Sequence, residues 1–351
     1  MGQGDCRADI INSMKIIEDK NFKDLTTFRI GGKIKYYAEV KSESEIKEAV
    51  RFAKAKNLPI FIVGDGSDFL ASDRVYEGLV IKYTDNGLKF EIRDSEVLVT
   101  AGAGLKWDKL VEETVKRNLQ GLECLSGVPG TVGAAPIQNV GAYGQEVSDT
   151  FYKLEAYDIE NEERKVFTKG DCKFGYRDSI FKSKENWQKY LIVSVTFKLD
   201  KDGKPNVSYE SLKSSVSDGA TLQEVREIVL KTRREKLEDP KKIGNAGSFF
   251  KNPVINADEK VRIEKEFADA KIFPFGNMYK ISAAWLIEKA GWKGKAEDGA
   301  AVSPKHALIL INKSGQASAE DVYKLSEMVM RDVFWKFGVN LEREVQLINF
   351  D

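Results

Sequence analysis

The sequence is poor in the residues that many chemistries require. In 351 residues it has one histidine, three cysteines and no surplus of charge, with 55 basic residues against 55 acidic ones. With His306 alone, neither a histidine-rich metal site nor a Ser-His-Asp triad using a second histidine can be built. Cys6, Cys124 and Cys172 are odd in number and far apart, which fits a reduced compartment and no disulfide framework. Zero net charge removes the diffuse basic field of a nucleic-acid or membrane-surface binder, although local basic sites stay open. No apolar run approaches the ~18 residues of a membrane helix, and MGQGDCRADIINSMK has no signal-peptide core. The expectation is a cytoplasmic chain without a metal, without nucleic acid and without membrane insertion.

What remains is ordinary globular material, 42% apolar and 31% charged, long enough for two or three domains. Residues 1–20 are polar and unpatterned and read as an arm. KIKYYAEV (33–40) reads as a strand. Ser42 and Glu45 then form a capping-box spacing ahead of Ile46, Ala49, Val50 and Ala53 at helical intervals. LPIFIV supplies the return strand of a βαβ unit. From about 78 the pattern becomes short strands, interrupted by a helix over 107–118. Thr221 and Glu224 open an amphipathic helix over 221–237, and helices near 283–291 and 317–338 flank a strand at 307–312. The pattern is α+β or mixed α/β.

Between Leu125 and Gly144 there is no charged residue, and five glycines punctuate the run. Bare backbone N–H groups in such a segment can face phosphate oxygens, though tight packing alone would also use glycine. GDGSD (64–68) follows a buried strand, where open α/β sheets bind ligands; a plain turn is the bland alternative. Neither it nor GAG (102–104) completes a Walker or GxGxxG pattern. GNAGSFFKNP (244–253) sets Ser248 between glycine and two phenylalanines, as a reacting hydroxyl or as a turn. Arg177 in GYRDSIF has a fork suited to a carboxylate or phosphate, or is simply solvated. In NLEREVQLINF, Leu341, Arg343, Val345 and Leu347 alternate with Glu342, Glu344 and Gln346; alternation alone does not choose between the two glutamates.

In order along the chain, TTFRIGG, IVGDGSD, LSGVPGTVGAAPIQNVGAYGQE, GYRDSIFK, GNAGSFFKNP, SAAWLIEKAGWKG, VSPKHALILIN and LEREV resemble the UDP-N-acetylenolpyruvoylglucosamine reductase family. The resemblance runs from about residue 22 to 348. It implies an α+β fold: a vanillyl-alcohol-oxidase-type pair of FAD-binding subdomains, plus a C-terminal α+β substrate domain. On this chain the implied bounds are an arm at 1–20, subdomains at 21–80 (joined by a strand near 338–351) and 81–215, and a substrate domain at 216–337.

The implied cofactor is noncovalent FAD, cradled by Gly64, Asp65, Gly66, Ser67 and Asp68. A second group of contacts falls on Ser126, Gly127, Pro129, Gly130, Gly133 and Ala134, and continues through Gln138, Asn139, Gly141, Ala142 and Tyr143. NADPH is the implied reductant and UDP-N-acetylglucosamine enolpyruvate the substrate, reduced to UDP-N-acetylmuramate in peptidoglycan synthesis by a bacterial monomer. The resemblance assigns hydride delivery to flavin N5, the proton to Ser248, and stabilisation of the enol to Arg177 and Glu344. It places Tyr209, in VSYESL, as a tyrosine closing over substrate, with Lys236 on phosphates and Asn252 at the substrate. One departure stands out. The usual GxGSN ends here in Asp68, and a carboxylate near pyrophosphate repels it unless it points away.

Overall fold

Residues 14–217 and 219–350 are described in the computed structural model of the chain. Strand β1 (Ile16–Asn21) pairs antiparallel with β2 (Lys33–Val40), Ile16 opposite Ala38 and Asn21 opposite Lys33. Ile16–Lys20 therefore belong to a sheet, which corrects the arm expected over 1–20; residues 1–13 of that arm lie outside the described residues. The polar IIEDKN has little strand pattern of its own, and it is the free edge of β2 that pairs it.

Helix α1 (Glu43–Ala55) begins where Ser42 Oγ accepts the Glu45 N–H at 3.3 Å. Its Ile46, Ala49, Val50 and Ala53 are fully buried against the sheet. Strand β3 (Ile60–Val63) completes the βαβ unit, followed by β4 (Phe69–Ala71) and β5 (Tyr76–Tyr83). The unit is not made of neighbours: β5 inserts between β2 and β3, parallel to both. All of β5 thus lies in the first sheet, and the boundary expected at 80/81 falls inside it. GLVIK begins the change of pattern in sequence but ends the sheet in space.

A second, antiparallel sheet holds β6 (Leu88–Arg93), β7 (Glu96–Gly102), β8 (Phe151–Asp158), β9 (Glu163–Thr168) and β10 (Tyr190–Lys201), in the order β9-β8-β10-β7-β6. Helix α2 (Trp107–Lys116) packs on it through Trp107, whose ring stands edge-on to Phe197 at 5.7 Å. The Trp107 indole N–H donates to Leu125 O at 3.0 Å, tying this helix to the start of the uncharged glycine-rich segment.

Helix α3 (Leu222–Lys236) opens with a complete capping box between Thr221 and Glu224. Beyond it, β11 (Gly244–Ser248) pairs with β12 (Ile309–Asn312), with an irregularity between Asn245 and Ser248. Helix α4 (Ala319–Phe337) covers this third sheet and stops at Gly338, whose φ of 64° is a left-handed C-cap. The chain then returns to the first domain. Strand β13 (Gln346–Ile348) pairs parallel with β4, Gln346 opposite Phe69 and Ile348 opposite Ala71. The whole is an α+β fold.

Candidate active site

The turn after β3 and the glycine-rich segment face each other across a cavity that reaches the second sheet. Small residues make that approach possible. A Cβ on Gly64 would lie 2.9 Å from Thr131 Oγ1, and one on Gly66 (φ 62°) would strike Leu25 O. Thr27 N–H holds the turn by donating to Gly66 O at 2.9 Å. Ser67 Oγ reaches Pro129 O at 3.5 Å, so the two loops also touch directly.

All five residues of 64–68 are in the cavity wall, as are Pro129, Gly130, Gly133, Ala134 and Gln138. Asp65 is neutralised there by Lys106 at 2.5 Å and Lys82 at 3.4 Å. Gln138 Oε1 is buried with no hydrogen-bond partner among the described residues, an amide left open to a ligand. The other expected contacts are outside the wall. Ser126 is buried with its hydroxyl on Glu123 O at 2.6 Å. Gly127 N–H is taken by Asp108 at 2.7 Å, and its carbonyl accepts from Arg233 Nε at 3.1 Å. Asn139 spends its amide on Glu146 (2.8 Å), Gly175 O (3.0 Å) and Ser148 N–H (2.9 Å), bracing one loop against another. Gly141, Ala142 and Tyr143 form a small hairpin rim with 145–146.

The three residues expected to react are assembled beside the cavity rather than in its wall. Arg177 Nε lies 3.2 Å from Glu344 Oε1, and Arg177 Nη2 donates to Gly141 O at 2.6 Å. Its backbone is left-handed (φ 54°), and Lys182 Nζ holds its carbonyl at 3.1 Å. Glu344 N–H donates to Phe249 O at 2.9 Å and Phe250 bridges Arg343, so 341–345 runs beside Ser248 and its phenylalanines. Glu342 instead turns outward to Lys251 at 2.5 Å, while Glu344 is buried.

Burial raises the Glu344 carboxyl against the opposing pull of Arg177, Lys182 and Lys251. Burial likewise raises Asp68 well above the usual range, and neighbouring Glu344 adds to it. Burial lowers Lys182, with Lys251 adding repulsion.

Asn252 is fixed by accepting from Ala283 N–H at 2.9 Å, and its own N–H donates to Tyr176 Oη at 3.3 Å. Tyr209 caps the short helix Glu210–Lys213, half exposed, with its ring edge-on to Tyr143 at 5.7 Å. Lys236 ends α3 and, after burial and Lys293, is the third influence lowering His306. Among residues the sequence reading left aside, Lys182 lines the cavity, and Lys280 lies between the rings of Tyr176 (3.4 Å) and Phe275 (3.6 Å). Lys182 stood inside the GYRDSIFK motif; the stack around Lys280 joins segments a hundred residues apart and has no local signal. Among the described residues no helix is long and apolar enough to cross a membrane.

Two family profiles match the chain: an FAD binding domain over residues 34–164, and the C-terminal domain of UDP-N-acetylenolpyruvoylglucosamine reductase over 239–348. The reductase of that name from Bdellovibrio bacteriovorus is 39% identical over 335 residues, 94% of this chain and 99% of that protein. The one from Flavobacterium johnsoniae is 39% identical over 343 residues, 95% of this chain and all of that protein. The chain belongs to the UDP-N-acetylenolpyruvoylglucosamine reductase family. The fold agrees: the reductase structure from Thermus caldophilus superposes with a TM-score of 0.67 at 24% identity, covering 95% of this chain and 99% of that one. A more distant neighbour, 6-hydroxy-D-nicotine oxidase from Arthrobacter nicotinovorans, gives 0.53 at 14% identity, covering 93% and 87%. FAD is the cofactor of this family member, and the cavity fits it: two backbone cradles and an open amide at Gln138 line it.

Proposed function

We propose that this family member uses NADPH to reduce UDP-N-acetylglucosamine enolpyruvate to UDP-N-acetylmuramate, a cytoplasmic step of peptidoglycan precursor synthesis. The observation that carries the reading is the Arg177–Glu344 pair at 3.2 Å, set beside Ser248 at the edge of the cavity. The proposed division of labour puts FAD between the first two sheets and the sugar nucleotide on residues 216–337.

FAD held by residues 64–68 and the glycine-rich segment would supply the hydride chemistry there. The rest falls to side chains. Arg177 presents its fork to the enolpyruvyl carboxylate, where negative charge develops, already oriented by Gly141 O and Glu344. Glu344 sits at that fork, its burial favouring a carboxyl that can hold a proton and donate to the growing enolate. Ser248 Oγ protonates the adjacent carbon; a hydroxyl is a weak acid, but the intermediate is a strong base. Asn252 and Lys236 orient the sugar nucleotide, and Tyr209 closes over it from the exposed side of Tyr143.

The test is an anaerobic absorption titration of the purified protein with NADPH and then the enolpyruvyl sugar. The expected result is a flavin band that bleaches with NADPH and returns on adding the sugar. A band that returns only with air would replace this reading with an oxidase.

A further inference from the structure

Both backbone polar groups of Gly127 are held by charged side chains. Its N–H donates to Asp108 Oδ1 at 2.7 Å, and its carbonyl accepts from Arg233 Nε at 3.1 Å. Its φ is 69°, and a Cβ there would lie 2.8 Å from Leu230 Cδ2, so the chain passes between these groups as glycine. Asp108 stands in the first turn of α2, while Leu230 and Arg233 belong to α3. The two helices meet through the same carboxylate. Arg226 of α3 donates to it with both arms, Nη1 to Oδ1 at 2.6 Å and Nη2 to Oδ2 at 2.9 Å.

This bidentate pair is not a loose surface contact. Arg226 is buried, and although burial pushes the Asp108 carboxyl up, the Arg226 bonds and the Gly127 N–H hold it below the usual range. The first turn of α2 grips the same segment twice more. Trp107 donates its indole N–H to Leu125 O and its backbone N–H to Gly130 O, each at 3.0 Å. Asp108 is the anchor that also joins α3. Directly after Gly127, Val128, Pro129, Gly130 and Thr131 enter the cavity wall, where Ser67 Oγ meets Pro129 O. A shift at Gly127 therefore reaches the wall within one residue.

We propose that Asp108 is a positioning residue for the flavin site: by holding the Gly127 N–H and the Arg226 fork together, it fixes the entry of the glycine-rich segment into the cavity wall and makes the docked α3 part of that wall's support. Asp108 is itself outside the wall, so its effect on the flavin goes through Gly127. A segment held in place before its ligand arrives loses less freedom on binding, and the difference appears as affinity. The inference rests on FAD lying in this cavity.

The experiment titrates flavin-stripped, full-length protein with FAD, followed by flavin fluorescence at a temperature well below unfolding, alongside thermal melts of the stripped proteins. Asp108→Leu removes the acceptor of the Gly127 N–H and strands the buried Arg226 charge. We expect its melting temperature to fall and its flavin affinity to drop about tenfold or more. Asp108→Leu combined with Arg226→Met removes the stranded charge as well. Its melting temperature should return toward the wild type while its flavin affinity stays about tenfold or more below it; if the single variant does not fold, this one carries the test. Asp108→Asn, which keeps an acceptor oxygen in the same place, should recover part of the lost affinity. Affinity that returns together with stability in the double variant, or wild-type affinity in Asp108→Leu, overturns the proposal. Gln138→Leu tests the placement of the flavin separately, because it removes the open amide from the wall. It should weaken FAD binding, and unchanged affinity there would overturn the placement of FAD in this cavity and the proposal with it.

Discussion

Arg177 meets Glu344 at 3.2 Å while its other arm donates to Gly141 O at 2.6 Å. One guanidinium therefore ties the GYRDS loop to the rim of the glycine-rich segment and to the C-terminal return of the chain. Replacing it with lysine keeps the charge and loses the fork. For Arg177→Lys we expect reduction of the flavin by NADPH to persist and sugar reduction to fall about tenfold or more, read by stopped-flow absorbance of each half-reaction. Unchanged turnover would remove Arg177 from the proposed chemistry.

Ser248 closes strand β11 just after Gly247, next to the segment that carries Glu344. Ser248→Ala should leave NADPH oxidation nearly normal and slow sugar reduction by about a hundredfold or more. If both half-reactions fell together, the hydroxyl would be structural.

Tyr209 stands half exposed, its ring edge-on to Tyr143 at 5.7 Å. Tyr209→Phe should raise the KM for the enolpyruvyl sugar and spare the rate of hydride transfer at saturation. A normal KM would end its role as a closing residue.

Asp158 supplies a stability test away from the site. It is fully buried; burial opposes its charge, but Lys165 at 2.8 Å and the Asn161 N–H win, lowering it to about 2. A carboxyl depressed on folding stabilises above its unfolded pKa and loses that contribution as pH falls toward the folded value. Asp158→Ala should therefore cost about 1–3 kcal/mol at pH 7. In thermal melts, the gap to wild type should close as pH falls below about 4. A gap independent of pH would mean packing alone is at stake.

Much of this architecture is local. The caps at Ser42 and Thr221, the apolar spacing of α1 and α3, and the alternation of the strands act within a few residues, so they can be read from the sequence. The uncharged glycine-rich run likewise announces a backbone packed close to something. By itself the sequence determined these elements, the scarcity of histidine and cysteine, and the order of motifs that marks the family.

Pairing and burial belong to the tertiary structure. The insertion of β5 between β2 and β3, and the recruitment of Ile16–Asn21 to the sheet, depend on which distant edge lies free. Alternation gives Glu342 and Glu344 the same standing, yet one faces Lys251 at the surface and the other is buried at Arg177. Asp68 reads as an anion in sequence; burial in the folded chain, with Glu344 adding to it, is what raises its carboxyl. Those outcomes turn on the dielectric surroundings and on partners brought from far along the chain, and neither exists until the chain has folded.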